Sequence, residues 1–293
     1  MQVQAIARSL LFVPGHQPER FDKACSSGAD AVVLDLEDAV PVHAKAAARG
    51  AVGRWLASRQ SAAAGPLVAV RVNAADTAWH LHDMEMCATA AALQRVMLPK
   101  VQHPVVLRAV GAALGGRMKL WPLIETARGM HCLDEIAAAP QVERLVFGTI
   151  DFQADMGMAQ GDEDDDGDDE GAADGDAQAL LHFRARMVLA SRVAGLQAPV
   201  DGVTTDIGDA ARVQADARRA RRLGFGGKLC IHPRQVAGVH RGFMPGAARL
   251  AWAQRVIDAD AASGGAPVAV DGKMVDRPVV LAARSVLAAA LRA

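Results

Sequence analysis

The chain has 293 residues, of which 51% are hydrophobic, 22% charged and 4% aromatic. This composition can bury a large core, which excludes wholesale disorder, and no apolar run reaches the ~18 residues needed to span a bilayer. The four cysteines are far apart and form no CxxC pair, and the N-terminus shows no secretory signal. We therefore expect reduced thiols, no membrane association and a cytoplasmic location.

The net charge of −1 conceals two opposed regions. Residues 162–176 contain ten acids and no base, and we predict a solvated, disordered insertion over 161–176. Removing these ten from the 33 acids leaves 23 against 32 lysines and arginines, so the rest of the chain is basic and suits an anionic ligand. The basic residues are scattered and lack an aromatic platform, so nucleic acid is not an expected partner.

Eight short, continuously apolar segments recur along the chain, as expected of strands that are buried on both faces. They are Ser9–Val13, Ala31–Leu36, Leu67–Val72, Val96–Leu98, Met118–Ile124, Arg144–Phe147, Pro199–Val203 and Lys228–Ile231. Helical patterns separate them, including one that starts at Pro18 and others over Trp79–Leu93, His103–Leu114, Gly129–Ala138, Gln178–Ala194 and Asp209–Leu223.

This alternation predicts an α/β fold, a parallel (β/α)8 TIM barrel over residues 1–244. The alternative is a doubly wound open sheet, but its GxGxxG turn is missing after the first strand, where FVPGHQPER stands. Beyond Met244 the pattern changes to a helix over Arg249–Ala261, a short VAVDGK stretch and a final helix from about Val279. We predict that residues 245–293 form a C-terminal helical extension.

Polar residues follow seven successive predicted strands. They are Asp35, Glu37 and Asp38; Arg71 and Asn73; Lys100; Glu125; Gly148 and Asp151; Asp201; and His232. Barrel enzymes carry their catalytic groups at this C-terminal rim. Carboxylates without a histidine cluster or paired cysteines favour Mg²⁺ or Mn²⁺ over zinc. A lone arginine and lysine at the same rim would bind a substrate carboxylate or phosphate.

Each of these residues also has a purely structural interpretation. Glu125 could cap the helix that begins near Thr126, and Asp151 could be a helix N-cap. Arg71 could simply form an ion pair with a rim carboxylate. The spacing of the residues leaves both interpretations open.

Eight collinear segments carry a more specific signal. They are RSLLFVPGHQPERFDKACSSGADAVVLDLEDAVP (Arg8–Pro41), VRVNA (Val70–Ala74), LPK (Leu98–Lys100), PLIETARG (Pro122–Gly129), FGTIDFQADMG (Phe147–Gly157), APVDGV (Ala198–Val203), GGKLCIHPRQ (Gly226–Gln235) and GKMVDRPVV (Gly272–Val280). In this order they resemble the citrate lyase β-subunit-like, or HpcH/HpaI aldolase, family. The acidic run departs from the family pattern.

The resemblance implies a carbon–carbon lyase that uses Mg²⁺, or Mn²⁺ as the alternative, with Glu125 and Asp151 as metal ligands. Its substrate would be a 3-hydroxy-3-carboxyacyl-CoA of the malyl-, citramalyl- or citryl-CoA type, cleaved to acetyl-CoA and a 2-oxo acid. Arg71 would hold the carboxylate and the developing oxyanion of the 2-oxo acid. Glu37 would support the ligands of the metal.

Four further assignments complete the predicted site. Arg8 and Lys45 would lie near the CoA phosphates, and Lys100 would contribute to substrate binding. The resemblance also implies that Asp276 reaches the active site of a neighbouring subunit as the acid/base. That assignment predicts a homo-oligomer, commonly a trimer in this family.

Three alternatives remain at this stage. The chain could be the β-subunit of a citrate lyase complex, whose substrate thioester is carried by an acyl-carrier protein. It could be a pyruvate aldolase that acts on free aldehydes without CoA, although that branch lacks the GKMVDRP tail. It could also be a non-catalytic binding protein on a retained barrel, with the acidic run obstructing the site.

Overall fold

The computed structural model describes residues 6–59, 65–158 and 178–290. The insertion predicted over 161–176 lies outside these ranges. Within them, none of the helices has the length and apolar character required to cross a membrane.

The eight predicted strands form a closed parallel barrel in which neighbours in sequence are neighbours in the sheet and β8 pairs with β1. Their bounds are β1 Ser9–Pro14, β2 Ala31–Asp35, β3 Leu67–Arg71, β4 Arg95–Leu98, β5 Lys119–Ile124, β6 Val146–Phe147, β7 Val200–Asp201 and β8 Gly227–Cys230. The prediction of a (β/α)8 barrel is confirmed.

Helices surround the barrel and connect successive strands. They are α1 Phe21–Cys25, α2 Lys45–Ser58, α3 His80–Thr89, α4 Pro104–Ala113, α5 Ala127–His131, α6 Leu133–Ala137, α7 Thr149–Asp155, α8 Leu181–Val193, α9 Ala210–Leu223 and α10 Arg234–Phe243. The helix predicted over Gly129–Ala138 is in fact two short helices, which meet where Cys132 leaves helical torsion angles.

The barrel interior is an apolar core built from inward-facing strand residues. It contains Ala7, Leu10, Ala31, Val33, Ala69, Met97, Trp121, Leu123, Val146, Val200 and Leu229, and Phe12, Leu67 and Val203 pack against it. Burying a side chain of this kind stabilises the fold by roughly 1.5–3 kcal/mol. This core fixes which strand residues point inward, and therefore which of them can line a site at the rim.

The described chain divides into two compact units, residues 6–240 and residues 241–290. The second unit contains helices α11 Ala247–Ala262 and α12 Arg277–Ala290 and a hairpin of β9 Val268–Val270 with β10 Lys273–Val275. Asp271 and Gly272 join the hairpin strands with φ of 52° and 72°, as the favoured two-residue turns require. The unit has its own core of Ala253, Val256, Val275, Val280 and Ala283.

Candidate active site

Arg71 lies at the end of β3 and is held by a neighbouring strand. Asp35, at the end of β2, accepts hydrogen bonds from Arg71 Nε at 2.7 Å and from Arg71 Nη2 at 2.6 Å. The two residues are paired in the parallel register of β2 and β3, which explains the bidentate geometry. Burial alone would lower the pKa of Arg71, but the adjacent carboxylate of Asp35 outweighs it and raises that pKa. The Arg71 guanidinium also lies 4.7 Å from the centre of the Phe12 ring.

Glu37 follows β2 and contacts two cations. Its Oε2 lies 3.0 Å from Arg71 Nη1, and its Oε1 accepts a hydrogen bond of 2.7 Å from Lys100 Nζ. Burial raises the pKa of Glu37, and Arg71 and Lys100 partly offset that effect. Glu37 thus links the rim of β2 to the loop that follows β4.

Lys100 uses both its backbone and its side chain at the site. Its backbone N–H donates a 2.7 Å hydrogen bond to Glu125 Oε1, and its ammonium group lies 3.9 Å from Asp151 Oδ2. Lys100 has a φ of 51°, in the left-handed region that a residue with a Cβ rarely adopts. This conformation turns the backbone N–H towards Glu125 while the side chain reaches Glu37.

Glu125 lines the same rim cavity as Asp151 and is buried, with 2% of its surface exposed. Burial raises its pKa to about 8, and the negative charges of Glu37 and Asp151 act in the same direction. Gly148 leaves space for this side chain, because a Cβ there would lie 2.5 Å from Glu125 Oε2 and 2.7 Å from Glu125 Cβ. The helix-capping role that the sequence left open for Glu125 belongs instead to Thr126, whose hydroxyl accepts from the N–H of Gly129.

Arg71 and Glu125 line one cavity of about 230 Å³ at the C-terminal ends of the strands. It is lined by Phe12, Pro14, Asp35, Asp38, Ala39, Arg71, Leu123, Glu125, Gly148, Thr149, Ile150, Asp151, Val203, Leu229 and Ile231. Asp151 lies in the first turn of α7, and its side chain is 41% exposed. The structure therefore brings Arg71, Glu125 and Asp151 together around the same space.

The donor set of the cavity fits a hard divalent cation. Among the described lining residues, Asp38, Glu125 and Asp151 offer carboxylate oxygens, and these three acids outnumber the one cation, Arg71. Within the described ranges, no group of three or more histidine, cysteine, aspartate or glutamate side chains is placed to hold a metal ion together, so at most two of these carboxylates would be direct ligands. Such an arrangement suits a magnesium ion that keeps several waters and uses few protein ligands.

Two predicted CoA-binding residues, Arg8 and Lys45, are not among the described residues that line this cavity. Arg8 precedes β1, at the opposite end of the barrel, where its Nε donates to Asp30 at 3.1 Å. Lys45 is buried, and its ammonium group donates to the carbonyls of Leu36 and Glu37 and to the side chain of Asn73, at 2.7–2.8 Å. Three hydrogen bonds use all the donors of an ammonium group, so Lys45 anchors the loop after β2 and has none left for a phosphate.

Asp276 belongs to the second compact unit and lies between β10 and α12. Its Oδ1 accepts a 3.3 Å hydrogen bond from the N–H of Val279, which is the geometry of a helix N-cap. Its predicted role in a neighbouring subunit stays a prediction.

Phe12 also lines the cavity, although its sequence pattern did not single it out. Phe12 lies in β1 with its side chain packed against the barrel core, and its ring faces the Arg71 guanidinium. The sequence contained one usable signal, since Phe12 lies two residues before the end of β1 and alternates with the inward-facing Leu10.

Comparisons with known proteins agree with this geometry. Residues 8–233 match the family model described as HpcH/HpaI aldolase/citrate lyase. The crystal structure of CitE from Mycobacterium tuberculosis in complex with magnesium, acetoacetate and coenzyme A superposes with a TM-score of 0.81 at 35% identity, covering 98% of this chain and 99% of that one.

Two curated relatives are similar over almost the whole chain. A (3S)-malyl-CoA thioesterase from Cereibacter sphaeroides is 35% identical, with 97% of this chain and 94% of the relative covered. The mitochondrial citramalyl-CoA lyase of Homo sapiens is 30% identical, with 95% of this chain and 84% of the relative covered. The chain is therefore a member of the HpcH/HpaI aldolase/citrate lyase family, an enzyme of the carbon–carbon lyase class.

Proposed function

We propose that this chain is a magnesium-dependent CoA-ester lyase. It cleaves the C–C bond of a 3-hydroxy-3-carboxyacyl-CoA and releases acetyl-CoA and a 2-oxo acid. The observation that carries the proposal is the single cavity that Arg71, Glu125 and Asp151 line together. The relatives named above, whose names refer to malyl-CoA, citramalyl-CoA and coenzyme A, support the choice of a CoA ester.

Each rim residue has a role that follows from its contacts. Glu125 and Asp151 would hold the metal, which when bound would polarise the substrate oxygens and lower the pKa of the hydroxyl group. Arg71, fixed by Asp35, directs its remaining donors at the substrate carboxylate and stabilises charge on the oxygen of the departing 2-oxo acid. Glu37 and Lys100 keep Arg71 and Glu125 in place.

As the C–C bond breaks, the substrate hydroxyl must give its proton to a base, and the acetyl-CoA enolate must then receive a proton at carbon. We assign this proton to Asp276 of a neighbouring copy, which makes the active form a homo-oligomer. Asp276→Asn should then retain magnesium and CoA-ester binding and lose cleavage by ~10²–10⁴-fold. Asp271→Asn, at the tip of the same hairpin, is the matched control and should cleave normally. Full turnover by Asp276→Asn would remove this residue from the mechanism.

Because Arg8 and Lys45 are used elsewhere, the CoA phosphates need another site. A second cavity, of about 410 Å³, shares Phe12, Pro14 and Ile231 with the first and is lined by the cations Arg20 and Lys23. We assign the CoA moiety to this groove. Lys23→Ala should raise KM for the CoA ester ~5–10-fold with little change in kcat, since a surface phosphate contact contributes uniform binding. Arg8→Gln should leave KM unchanged.

The decisive test incubates the protein with Mg²⁺ and malyl-, citramalyl- or citryl-CoA and measures both products. Equal amounts of acetyl-CoA and a 2-oxo acid are expected, and EDTA should abolish their release. Free CoA with an intact hydroxy acid would identify a thioesterase instead. Condensation of pyruvate with free aldehydes, without CoA-ester cleavage, would identify an aldolase. Activity that requires a co-purifying acyl-carrier protein would identify a citrate lyase β-subunit.

A further inference from the structure

The inner end of the catalytic cavity is apolar. Leu123 and Leu229, which line it, belong to the core of the barrel, and Phe12 and Val203 pack against that core. The floor of the cavity is therefore the top layer of the barrel core. A substrate group that points inward from the carboxylate rim meets hydrocarbon on this side.

Acidic side chains outnumber basic ones among the described residues of the same cavity. Among the 15 described residues that line it, Arg71 is the only cation, whereas Asp35, Asp38, Glu125 and Asp151 are acids. Arg71 is already paired with Asp35 and Glu37, so it can receive one substrate carboxylate but not two. Lys100 does not line the cavity, and its ammonium group is bonded to Glu37 at 2.7 Å.

The three candidate substrates differ only in the third substituent on the carbon that bears the hydroxyl and carboxylate groups. Malyl-CoA carries a hydrogen there and yields glyoxylate, citramalyl-CoA carries a methyl and yields pyruvate, and citryl-CoA carries a carboxymethyl and yields oxaloacetate. Once the hydroxyl and carboxylate face Arg71 and the rim acids, this substituent faces the apolar floor. A second carboxylate buried there without a partner is strongly disfavoured, whereas a methyl group gains contact.

We infer that the enzyme is selective for the methyl-bearing substrate, a citramalyl-type CoA ester cleaved to acetyl-CoA and pyruvate, and that Val203 contributes the methyl contact. This inference rests on the proposed function. Val203 is suited to the role because it follows β7, is only half-buried and lines the cavity between the core and the rim.

The test compares kcat/KM for the three esters with Mg²⁺. We expect citramalyl-CoA to exceed malyl-CoA by ~10-fold, the usual discrimination for one methyl group, and citryl-CoA by ~100-fold or more. A preference for malyl- or citryl-CoA would overturn this inference and leave the proposed function standing. Cleavage of none of the three would overturn the proposed function and this inference with it.

Two variants locate the selectivity within the cavity. Val203→Thr keeps the shape of the side chain but places a hydroxyl at the floor, so the citramalyl-to-malyl ratio should fall ~5-fold. Val203→Leu fills the space of the methyl group, so it should reduce cleavage of citramalyl-CoA more than that of malyl-CoA. Val193→Thr, on an exposed face of α8, is the control and should not change the ratio. An unchanged ratio in both folded Val203 variants would overturn the assignment.

Discussion

The two ends of the barrel hold carboxylates in opposite electrostatic states. At the C-terminal rim, burial and the neighbouring acids raise the pKa of Glu125 to about 8. At the N-terminal end, burial would also raise the pKa of Asp30, but hydrogen bonds with His240 and Arg8 outweigh it and hold that pKa well below its usual range. Asp30 Oδ2 lies 3.3 Å from His240 Nε2 and 2.7 Å from the backbone N of Arg8. At the C-terminal rim, Glu125 has too little positive charge around it. At the N-terminal end, the carboxylate of Asp30 is paired with positively charged and hydrogen-bonding groups.

From this difference we expect the carboxylates of the C-terminal rim to serve catalysis and those of the N-terminal end to stabilise the fold. A carboxylate that lacks a counter-charge is ready to receive one from a ligand, whereas a satisfied carboxylate strengthens the fold and binds nothing further. Arg144, at the N-terminal end, is an exception: it donates to the carbonyls of Ala7 and Ala198 at 2.7 and 2.6 Å, but its Nη2 is buried with no hydrogen-bond partner among the described residues and burial lowers its pKa to about 9. The following predictions test this division, from the largest expected effect to the smallest.

Removing the charge of Glu125 should have the largest effect. Glu125→Gln keeps the shape of the side chain but loses a metal ligand, so magnesium-dependent kcat/KM should fall ~10³-fold or more. Calorimetric titration should show a matching loss of Mg²⁺ affinity. Asp30→Asn is the control and should retain activity within ~2-fold. Normal magnesium affinity in a folded Glu125→Gln protein would exclude Glu125 as a ligand.

Arg71→Lys tests the bidentate clamp at the rim. Lysine cannot reproduce two hydrogen bonds to Asp35 and still face a substrate carboxylate, so kcat/KM should fall ~10²-fold. Arg95→Lys is the matched control, because Arg95 makes a similar two-point contact with Glu143 through Nε at 2.9 Å and Nη2 at 3.2 Å. Arg95 lies at the start of β4, so its variant should keep its activity and lose only stability.

Asp30→Asn should destabilise the protein without affecting catalysis. The change removes the carboxylate that accepts from Arg8 and His240, and the expected cost is about 1–3 kcal/mol. Urea denaturation measures the free energy of unfolding, and steady-state kinetics on the folded protein provide the comparison. A loss of catalytic rate comparable to that of the rim variants would contradict the division between the two ends.

Gly148→Ala tests how tightly Glu125 is packed. The added Cβ would collide with the Oε2 and Cβ atoms of Glu125, so the carboxylate must move and kcat/KM should fall ~10-fold. At Gly246 a Cβ would meet no atom within 4 Å, and the residue has an ordinary φ of −69°. Gly246→Ala should therefore be fully active. Equal activity of the two variants would show that Glu125 tolerates displacement.

The two carboxylates should also give stability opposite dependences on pH. In magnesium-free protein, folded Glu125 keeps a proton that the unfolded chain releases, so stability falls as the pH rises from about 4.5 to about 8. Asp30 contributes stability above its ordinary pKa of about 4, and this contribution is lost as the pH falls below that value. Urea denaturation in EDTA from pH 3 to 9 should show that the free energy of unfolding falls both towards low pH and towards high pH. Glu125→Gln should reduce the fall at high pH, and Asp30→Asn should reduce the fall at low pH.

The sequence predicted the strands well because each is a short apolar run with clear boundaries. Each observed strand lies within two residues of its predicted bounds, and the polar residue after β5, Glu125, could be assigned to the rim from strand order alone. The same rule already argues against Arg8, which comes before the first strand and not after it. Its assignment followed the family segment instead of the direction of the strand.

Other contacts had no sequence signal. The ammonium group of Lys45 bonds to Asn73, 28 residues away, and nothing local indicates that it is buried. The pairing of Asp30 with His240 joins the start of β2 to α10, across most of the barrel sequence. Such contacts depend on side-chain geometry after closure of the barrel, which a pattern of apolar residues does not encode.

The left-handed backbone of Lys100 has a practical consequence for protein engineering. A glycine at this position would adopt a φ of 51° without steric cost, and removing such strain typically stabilises a protein by about 1 kcal/mol. It would also delete the ammonium group that holds Glu37. Position 100 therefore couples stability to the site, because relieving the backbone strain removes the contact that holds a buried carboxylate.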